Sequence, residues 1–95
     1  MISKLNEATL YGIVDLGYVA EKNVEQAARE LIAGGAGVIQ LRAKGVDKMT
    51  VEALAGKIQK ICASAEVPFV VNDYPEIALK VHADGVHIGQ DDGSL

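Results

Sequence analysis

The sequence contains no tryptophan, one phenylalanine and one cysteine among its 95 residues. The single cysteine, Cys62, excludes an internal disulfide and a metal site built from cysteines. No apolar run approaches the ~20 residues that a membrane-spanning helix needs, and the first residues lack the layout of a secretory signal. The net charge of −4 argues against a nucleic-acid partner, because such proteins usually carry a basic surplus. We therefore expect a small cytoplasmic protein with an aliphatic core and no membrane partner.

Four short segments rich in valine and isoleucine alternate with three segments of helical periodicity. The predicted strands are residues 10–15, 37–42, 67–72 and 85–89. This alternation predicts an α/β fold with a parallel sheet and right-handed crossovers. An open, flavodoxin-like sheet and a (β/α)8 TIM barrel both begin in this way. A complete barrel usually needs ~250 residues, so residues 1–95, with no internal domain boundary, can supply about the first half of one.

The ends of the predicted helices carry local signals. Asn23 followed by Gln26 resembles a capping box, and Thr50 is the expected cap of the second helix. Gly34 and Gly35 stop the first helix, since glycine adopts the left-handed conformation without a steric penalty. Pro75 suits the first turn of the third helix. In a barrel, all three helices would pack on the outer face of the sheet.

Polar side chains follow the second predicted strand at alternating positions. These are Gln40, Arg42 and Lys44, and a period of two places them on one side of an extended segment. Ligands of parallel α/β folds bind at the carboxyl ends of the strands. The pattern favours an anion site, in which arginine contacts phosphate oxygens in a bidentate manner and lysine adds a point charge. A surface row of salt bridges is the alternative.

Acidic and amide side chains follow the third and fourth predicted strands. Asn72 and Asp73 end the third strand, and Asp92 lies in an acidic turn after the fourth. Carboxylates beside a phosphate site suit Mg²⁺, which typically takes one or two carboxylates plus substrate phosphates. A helix cap before Pro75 and a solvated acidic turn are the alternatives. His87 has glycines on its side of the strand, and is either a core histidine or a contact for a flat ligand ring.

Three sequence motifs, in this order, resemble those of thiamine-phosphate synthases. They are GGAGVIQLRAK at residues 34–44, VPFVVND at residues 67–73 and ADGVHIGQDD at residues 83–92. That family consists of (β/α)8 barrels that join 4-amino-5-hydroxymethyl-2-methylpyrimidine diphosphate to 4-methyl-5-(2-hydroxyethyl)thiazole phosphate. The resemblance implies the same transferase activity here, with these two small molecules as substrates.

The resemblance also implies a role for each matching residue. The pyrimidine diphosphate would be held by Gln40, Arg42, Lys44 and Asn72. Arg42 and Lys44 would also stabilise the departing diphosphate, and Asp73 and Asp92 would hold Mg²⁺. Tyr74 stands where family members commonly have an arginine, which removes one expected phosphate contact.

The chain matches only the first half of the family's barrel. A half-barrel has two exposed sheet edges, which proteins normally avoid, so we expect either a homodimer or a longer protein of which this chain is a part. A thiazole tautomerase of the same superfamily is one alternative function. A non-catalytic half-barrel that binds phosphorylated ligands or self-associates is another.

Overall fold

One mixed sheet forms the centre of the molecule. The computed structural model describes the backbone of residues 2–4, and both backbone and side chains of residues 10–87. Within these residues the sheet has five strands: β1 (Ile2–Lys4), β2 (Leu10–Asp15), β3 (Val38–Arg42), β4 (Phe69–Asn72) and β5 (Gly85–His87). The strands lie in sequence order. β2 to β5 pair in parallel, and β1 pairs antiparallel with β2.

Three helices connect the four parallel strands. They are α1 (Val24–Ala33), α2 (Lys48–Ala65) and α3 (Pro75–Lys80). α1 packs on α2, and α2 packs on α3, so the helices share one face of the sheet. Sequential strand order with helices on one face is the arrangement of a (β/α)8 barrel, since a doubly wound sheet carries helices on both faces. The half-barrel prediction is confirmed, and the flavodoxin-like alternative is wrong.

The parallel strands turn alternate side chains toward the helices. Val14, Leu41 and Val71 lie on the helical face and are at most 1% exposed. Ile13 and Val70 lie on the opposite face and are half-buried. That opposite face, which we call the inner face, is the one that would line the interior of a closed barrel.

The core between the sheet and the helices is aliphatic, as the composition predicts. Its largest fully buried side chains are Phe69, Ile39, Leu41, Ile58 and Ile77. Cys62 belongs to this core, and burial raises the pKa of its thiol to about 11. The thiol therefore stays protonated and unreactive at neutral pH, in keeping with a small core residue.

The second helix begins earlier than its sequence predicts. Asp47, not Thr50, is the N-cap of α2. The Asp47 carboxylate accepts hydrogen bonds from the Thr50 backbone N–H at 3.2 Å and from the Thr50 hydroxyl at 2.8 Å. Asp47 has the extended backbone that a cap needs, whereas Thr50 already lies within the first turn. The prediction for Thr50 is therefore wrong by three positions.

The predicted capping box of the first helix does not form. Asn23 occupies the N-cap position of α1, but its side chain makes no capping hydrogen bond. The Gln26 amide instead donates to the Glu30 carboxylate at 3.0 Å. The reason is the 3-10 turn at Glu21–Asn23. It leads directly into α1, so Asn23 lacks the extended backbone of a side-chain cap.

The strand β1 was not predicted from the sequence. It covers the outer edge of β2, with Ile2 opposite Gly12 and Lys4 opposite Leu10. Within the described residues the sheet therefore has two edge strands, β1 and β5, and β1 rather than β2 lies at one edge. Three residues are too short to show the alternation that identifies a strand. Among residues 2–4 and 10–87, no helix is long and apolar enough to cross a membrane.

We predict that Gly12→Ala destabilises the protein. A Cβ at Gly12 would lie 2.9 Å from Ile39 Cδ1, 3.0 Å from Ala36 Cβ and 3.2 Å from Leu31 Cβ. Two of these three neighbours are Cβ atoms, which cannot move without the backbone. The cost expected for such overpacking is about 1–3 kcal/mol, measurable as a lower midpoint of urea unfolding.

Gly56→Ala is the matched control for this substitution. Gly56 lies within α2, and an added Cβ would meet nothing within 4 Å. Alanine is favoured over glycine by ~1 kcal/mol inside a helix, so this variant should be more stable than the wild type. Equal midpoints for both variants would contradict the close approach of α1 and β3 to β2 at Gly12.

We also predict a stability contribution from Asp47 that depends on pH. The pKa of Asp47 lies below its ordinary value of 3.8 because the Thr50 hydroxyl and backbone N–H donate to the carboxylate. The folded state therefore favours the ionised form. The resulting stabilisation is present above pH 3.8 and is lost as the pH falls through the lower folded pKa.

Asp47→Asn keeps a capping oxygen but cannot ionise. The wild type should have the higher urea midpoint at pH 7, and the difference should shrink when both proteins are measured at about pH 3. A difference that stays constant over this range would rule out the ionised cap.

Candidate functional site

The carboxyl ends of the parallel strands bring polar side chains to one edge of the sheet. Asp15 at the end of β2 pairs in register with Arg42 at the end of β3. Asn72 at the end of β4 pairs with His87 in β5. Parallel pairing puts all four residues at the same end, which we call the rim.

Gln40 and Arg42 lie on the inner face of β3. Gln40 is 6% exposed and lies between Ile13 and Val70 in the neighbouring strands. The Arg42 side chain is 35% exposed, and its Nε lies 3.8 Å from an Asp15 carboxylate oxygen. Such a partly solvated ion pair is worth only ~1 kcal/mol or less, so a multiply charged anion could readily compete for the guanidinium.

Asp15 holds the loop that follows β2. Its second carboxylate oxygen accepts a hydrogen bond from the Gly17 N–H at 2.8 Å, and its carbonyl accepts from Tyr18 and Val19. Asp15 is the last residue of the predicted strand 10–15, and the sequence pattern gave it no role. The structure shows that it orders the rim loop and lies beside Arg42.

Lys44 differs from the sequence prediction in its local structure. β3 ends at Arg42, and Lys44 lies exposed in the turn that contains Gly45, whose φ is 78°. The alternation of an extended strand therefore holds for Gln40 and Arg42 but does not extend to Lys44. A turn gives the lysine a different direction from the strand residues, although it stays next to them at the rim.

Asn72, Asp73 and His87 form a hydrogen-bonded cluster. The Asn72 amide nitrogen lies 3.1 Å from an Asp73 carboxylate oxygen, and its oxygen lies 3.0 Å from His87 Nδ1. The Asp73 backbone N–H donates to the His87 carbonyl at 2.7 Å. Asn72 is 2% exposed, whereas the His87 side chain is exposed. Within the described residues, His87 therefore lies on the exposed inner face and not in the aliphatic core between sheet and helices.

Asp73 is held in an unusual backbone conformation. Its φ of 73° lies in the left-handed region, which residues other than glycine rarely adopt and which clusters at functional sites.

The N-cap of α3 is Tyr74, whose side chain makes no capping hydrogen bond. Pro75 occupies the first turn of α3, as predicted.

The Mg²⁺ prediction rests on Asp73 and Asp92. Asp92 lies outside the described residues, and so do Gly89 and the acidic turn around Asp91. Within residues 10–87, no group of three or more histidine, cysteine or acidic side chains could hold a metal ion on its own. Asp73 offers one half-buried hard oxygen ligand, which fits an ion that completes its shell with substrate phosphates and water.

An ion pair missed by sequence reasoning joins the first turns of α2 and α3 at this same end. The Lys48 ammonium lies 2.6 Å from the Glu76 carboxylate. Their contact raises the pKa of Lys48 and lowers the pKa of Glu76. Both side chains are more than half exposed, so the pair adds little stability.

Comparison with known sequences agrees with this geometry. The sequence profile of a family described as thiamine monophosphate synthase matches residues 10–95. The chain belongs to the thiamine monophosphate synthase family. The profile covers all four parallel strands and each predicted site residue.

Curated relatives support the same family. The thiamine-phosphate synthase of Persephonella marina is 42% identical over 86 residues, which is 90% of this chain and 41% of that protein. The thiamine-phosphate synthase of Shouchella clausii is 41% identical over 83 residues, covering 87% of this chain and 40% of that protein. That of Bacillus thuringiensis is 36% identical over 102 residues, covering 99% of this chain and 47% of that protein. The chain thus spans less than half the length of these relatives of the thiamine monophosphate synthase family.

Proposed function

We propose that this chain forms the diphosphate-binding half of a cytoplasmic thiamine-phosphate synthase. The substrates would be 4-amino-5-hydroxymethyl-2-methylpyrimidine diphosphate and 4-methyl-5-(2-hydroxyethyl)thiazole phosphate. The observation that carries the proposal is the rim itself, where the accessible Arg42 guanidinium and the Asn72–Asp73–His87 cluster occupy the carboxyl ends of adjacent parallel strands. Ligands bind at this end of barrel folds.

The proposed reaction needs no protein nucleophile. The bond between the pyrimidine methylene carbon and the diphosphate oxygen breaks, and its electron pair leaves with the diphosphate. The 4-amino group stabilises the cation that forms on the methylene carbon. The thiazole nitrogen then supplies the electron pair for the new carbon–nitrogen bond, which gives thiamine phosphate. The catalytic task is to stabilise the charge on the departing diphosphate.

The rim residues suit that task. Arg42 would donate in a bidentate manner to phosphate oxygens, and Lys44 would add a mobile positive charge from the adjoining turn. Gln40, buried on the inner face, would donate or accept a hydrogen bond at the substrate. A thiazole tautomerase needs no diphosphate site, so Arg42 and Lys44 together with Asp73 and Asp92 favour the synthase over that alternative.

A bound Mg²⁺ would add positive charge at the diphosphate. Asp73 and Asp92 are the residues that would hold it. The orientation of the Asp73 carboxylate by Asn72 at 3.1 Å fits this role, because carboxylates that ligate metals are themselves held by hydrogen bonds.

The inner face would also need the remaining strands of the barrel, because exclusion of water protects a carbocation from capture. Ile13 and Val70 are only half-buried on this face. Further strands of a longer polypeptide or a second copy of the chain would cover them, and a homodimer stays a prediction.

We predict that Arg42→Ala weakens binding of the pyrimidine diphosphate. A lost charge-assisted hydrogen bond costs about 1.5–3 kcal/mol, or roughly 10- to 150-fold in affinity. Isothermal titration calorimetry on the complete polypeptide that carries this sequence measures the change. Arg29→Ala is the control, because Arg29 is exposed on α1 on the helical side of the sheet. Unchanged affinity in Arg42→Ala would remove this arginine from the site.

We predict that Asp73→Asn and Asp92→Asn each raise the Mg²⁺ concentration needed for half-maximal formation of thiamine phosphate. Each change keeps the shape of the side chain and removes one hard, charged ligand. Asp91→Asn removes a charge from the same acidic turn and should leave the Mg²⁺ midpoint near the wild-type value. A wild-type midpoint in both Asp73→Asn and Asp92→Asn would show that the metal assignment is wrong.

A further inference from the structure

Each hydrogen bond in the cluster of Asn72, Asp73 and His87 at the rim has a defined donor and acceptor. Asn72 bridges two side chains: its amide nitrogen faces the Asp73 carboxylate at 3.1 Å, and its oxygen faces His87 Nδ1 at 3.0 Å. Asn72 is 2% exposed, so water is largely excluded from its amide. Both ends of a buried amide need hydrogen-bond partners, and Asp73 and His87 supply one to each end.

The chemistry of the three groups fixes which atom donates. The Asn72 amide nitrogen carries two hydrogens and cannot accept, so it donates to the Asp73 carboxylate oxygen. This orientation of the amide leaves its oxygen facing His87. An amide oxygen only accepts, so the proton between them must belong to His87 Nδ1. His87 therefore donates a hydrogen bond to Asn72, and Asn72 donates one to Asp73.

The backbone fixes the spacing of this chain of bonds. Asn72 and His87 are register partners in β4 and β5, and the Asp73 N–H donates to the His87 carbonyl at 2.7 Å. The left-handed φ of 73° at Asp73 places its carboxylate next to the Asn72 amide. The cluster is thus built into the strand pairing rather than formed by mobile surface side chains.

We propose that Asn72 is a positioning residue that holds His87 as the neutral tautomer with its proton on Nδ1. The other nitrogen, Nε2, then carries the lone pair and presents a hydrogen-bond acceptor at the rim. Free histidine in water favours the opposite tautomer, so the Asn72 amide reverses the ordinary preference. The role of the other ring nitrogen is set by the bond that Nδ1 makes.

An acceptor at Nε2 selects a ligand that carries an N–H donor. Resting on the proposed function, we assign this donor to the exocyclic amino group of the aminopyrimidine. Gly85 shares the inner face with His87 and has no side chain. Among the residues that the structure describes, a Cβ there would meet Val70 Cγ2 alone within 4 Å, at 3.7 Å. This leaves room for a flat ring beside the imidazole.

The tautomer can be measured directly by ¹⁵N NMR of the imidazole nitrogens. The chain has two histidines, and His82→Gln leaves His87 as the only signal. At about pH 8.5, where histidine is ordinarily neutral, the wild-type pattern should show the proton on Nδ1. A predominant Nε2–H pattern would overturn the proposal.

Two variants distinguish a role of Asn72 in positioning His87 from a role in folding. Asn72→Leu removes the acceptor and should convert His87 to a predominant Nε2–H pattern, whereas Asn72→Asp keeps an oxygen acceptor and should retain the proton on Nδ1. Slow exchange of the Asp73 amide proton, which donates to the His87 carbonyl, verifies that β4 and β5 still pair. An unchanged tautomer in Asn72→Leu, with that amide still protected, would overturn the role of Asn72.

The ligand assignment has its own test on the complete polypeptide. The wild type should bind the aminopyrimidine diphosphate at least tenfold more tightly than the analogue with a 4-oxo group, and Asn72→Leu should lose most of this preference. If His87 carries its proton on Nδ1 but binding shows no preference, the amino-group assignment is overturned while the positioning role stands. Absence of any diphosphate binding would instead contradict the proposed function.

Discussion

Parallel pairing of β2, β3, β4 and β5 is the constraint on which the proposed site depends. It aligns the carboxyl ends of strands that lie far apart in the sequence. The burial of alternate strand residues against the helices then determines which side chains lie on the inner face. Leu41 and Val71 are almost completely buried against the helices, so Arg42 and Asn72, one residue further along, must turn to the inner face. A shift of the register by one residue would expose the apolar residues and bury Arg42 among the helices.

The inner face combines apolar side chains with polar side chains, and the two kinds have different requirements when they are buried. Ile13 and Val70 gain from being covered, whereas Gln40 and Asn72 must keep hydrogen-bond partners when they are buried. For Asn72 this requirement is met by hydrogen bonds with Asp73 and His87 at the rim. A buried amide satisfied in this way can only adopt one orientation, and that rigidity is useful in a site that must discriminate between donors and acceptors.

Hydrophobic periodicity predicted the fold well, because burial affects every residue of a helix or strand in the same way. The positions of the parallel strands and their alternation with three helices follow from it. The helix caps were predicted less well. Thr50 and Asp47 are both good capping residues, and only the backbone of Asp47 is extended. The strand β1 gave no signal because it is three residues long.

The sequence by itself determined the aliphatic core, the alternation of strands and helices, and the polar residue types at the strand ends. The tertiary structure decided which of those residues contact one another and in which backbone conformation. The contact between Asn72 and His87 joins residues 15 positions apart, and the left-handed backbone of Asp73 and of Glu66, which ends α2, falls on residues that do not ordinarily adopt it. The alternation of polar residues predicted that Lys44 continues the strand, but the turn that contains Gly45 places Lys44 after the end of β3. Periodicity is a local property of the chain, whereas the direction of a hydrogen bond and the end of a strand depend on neighbours that only the folded sheet brings together.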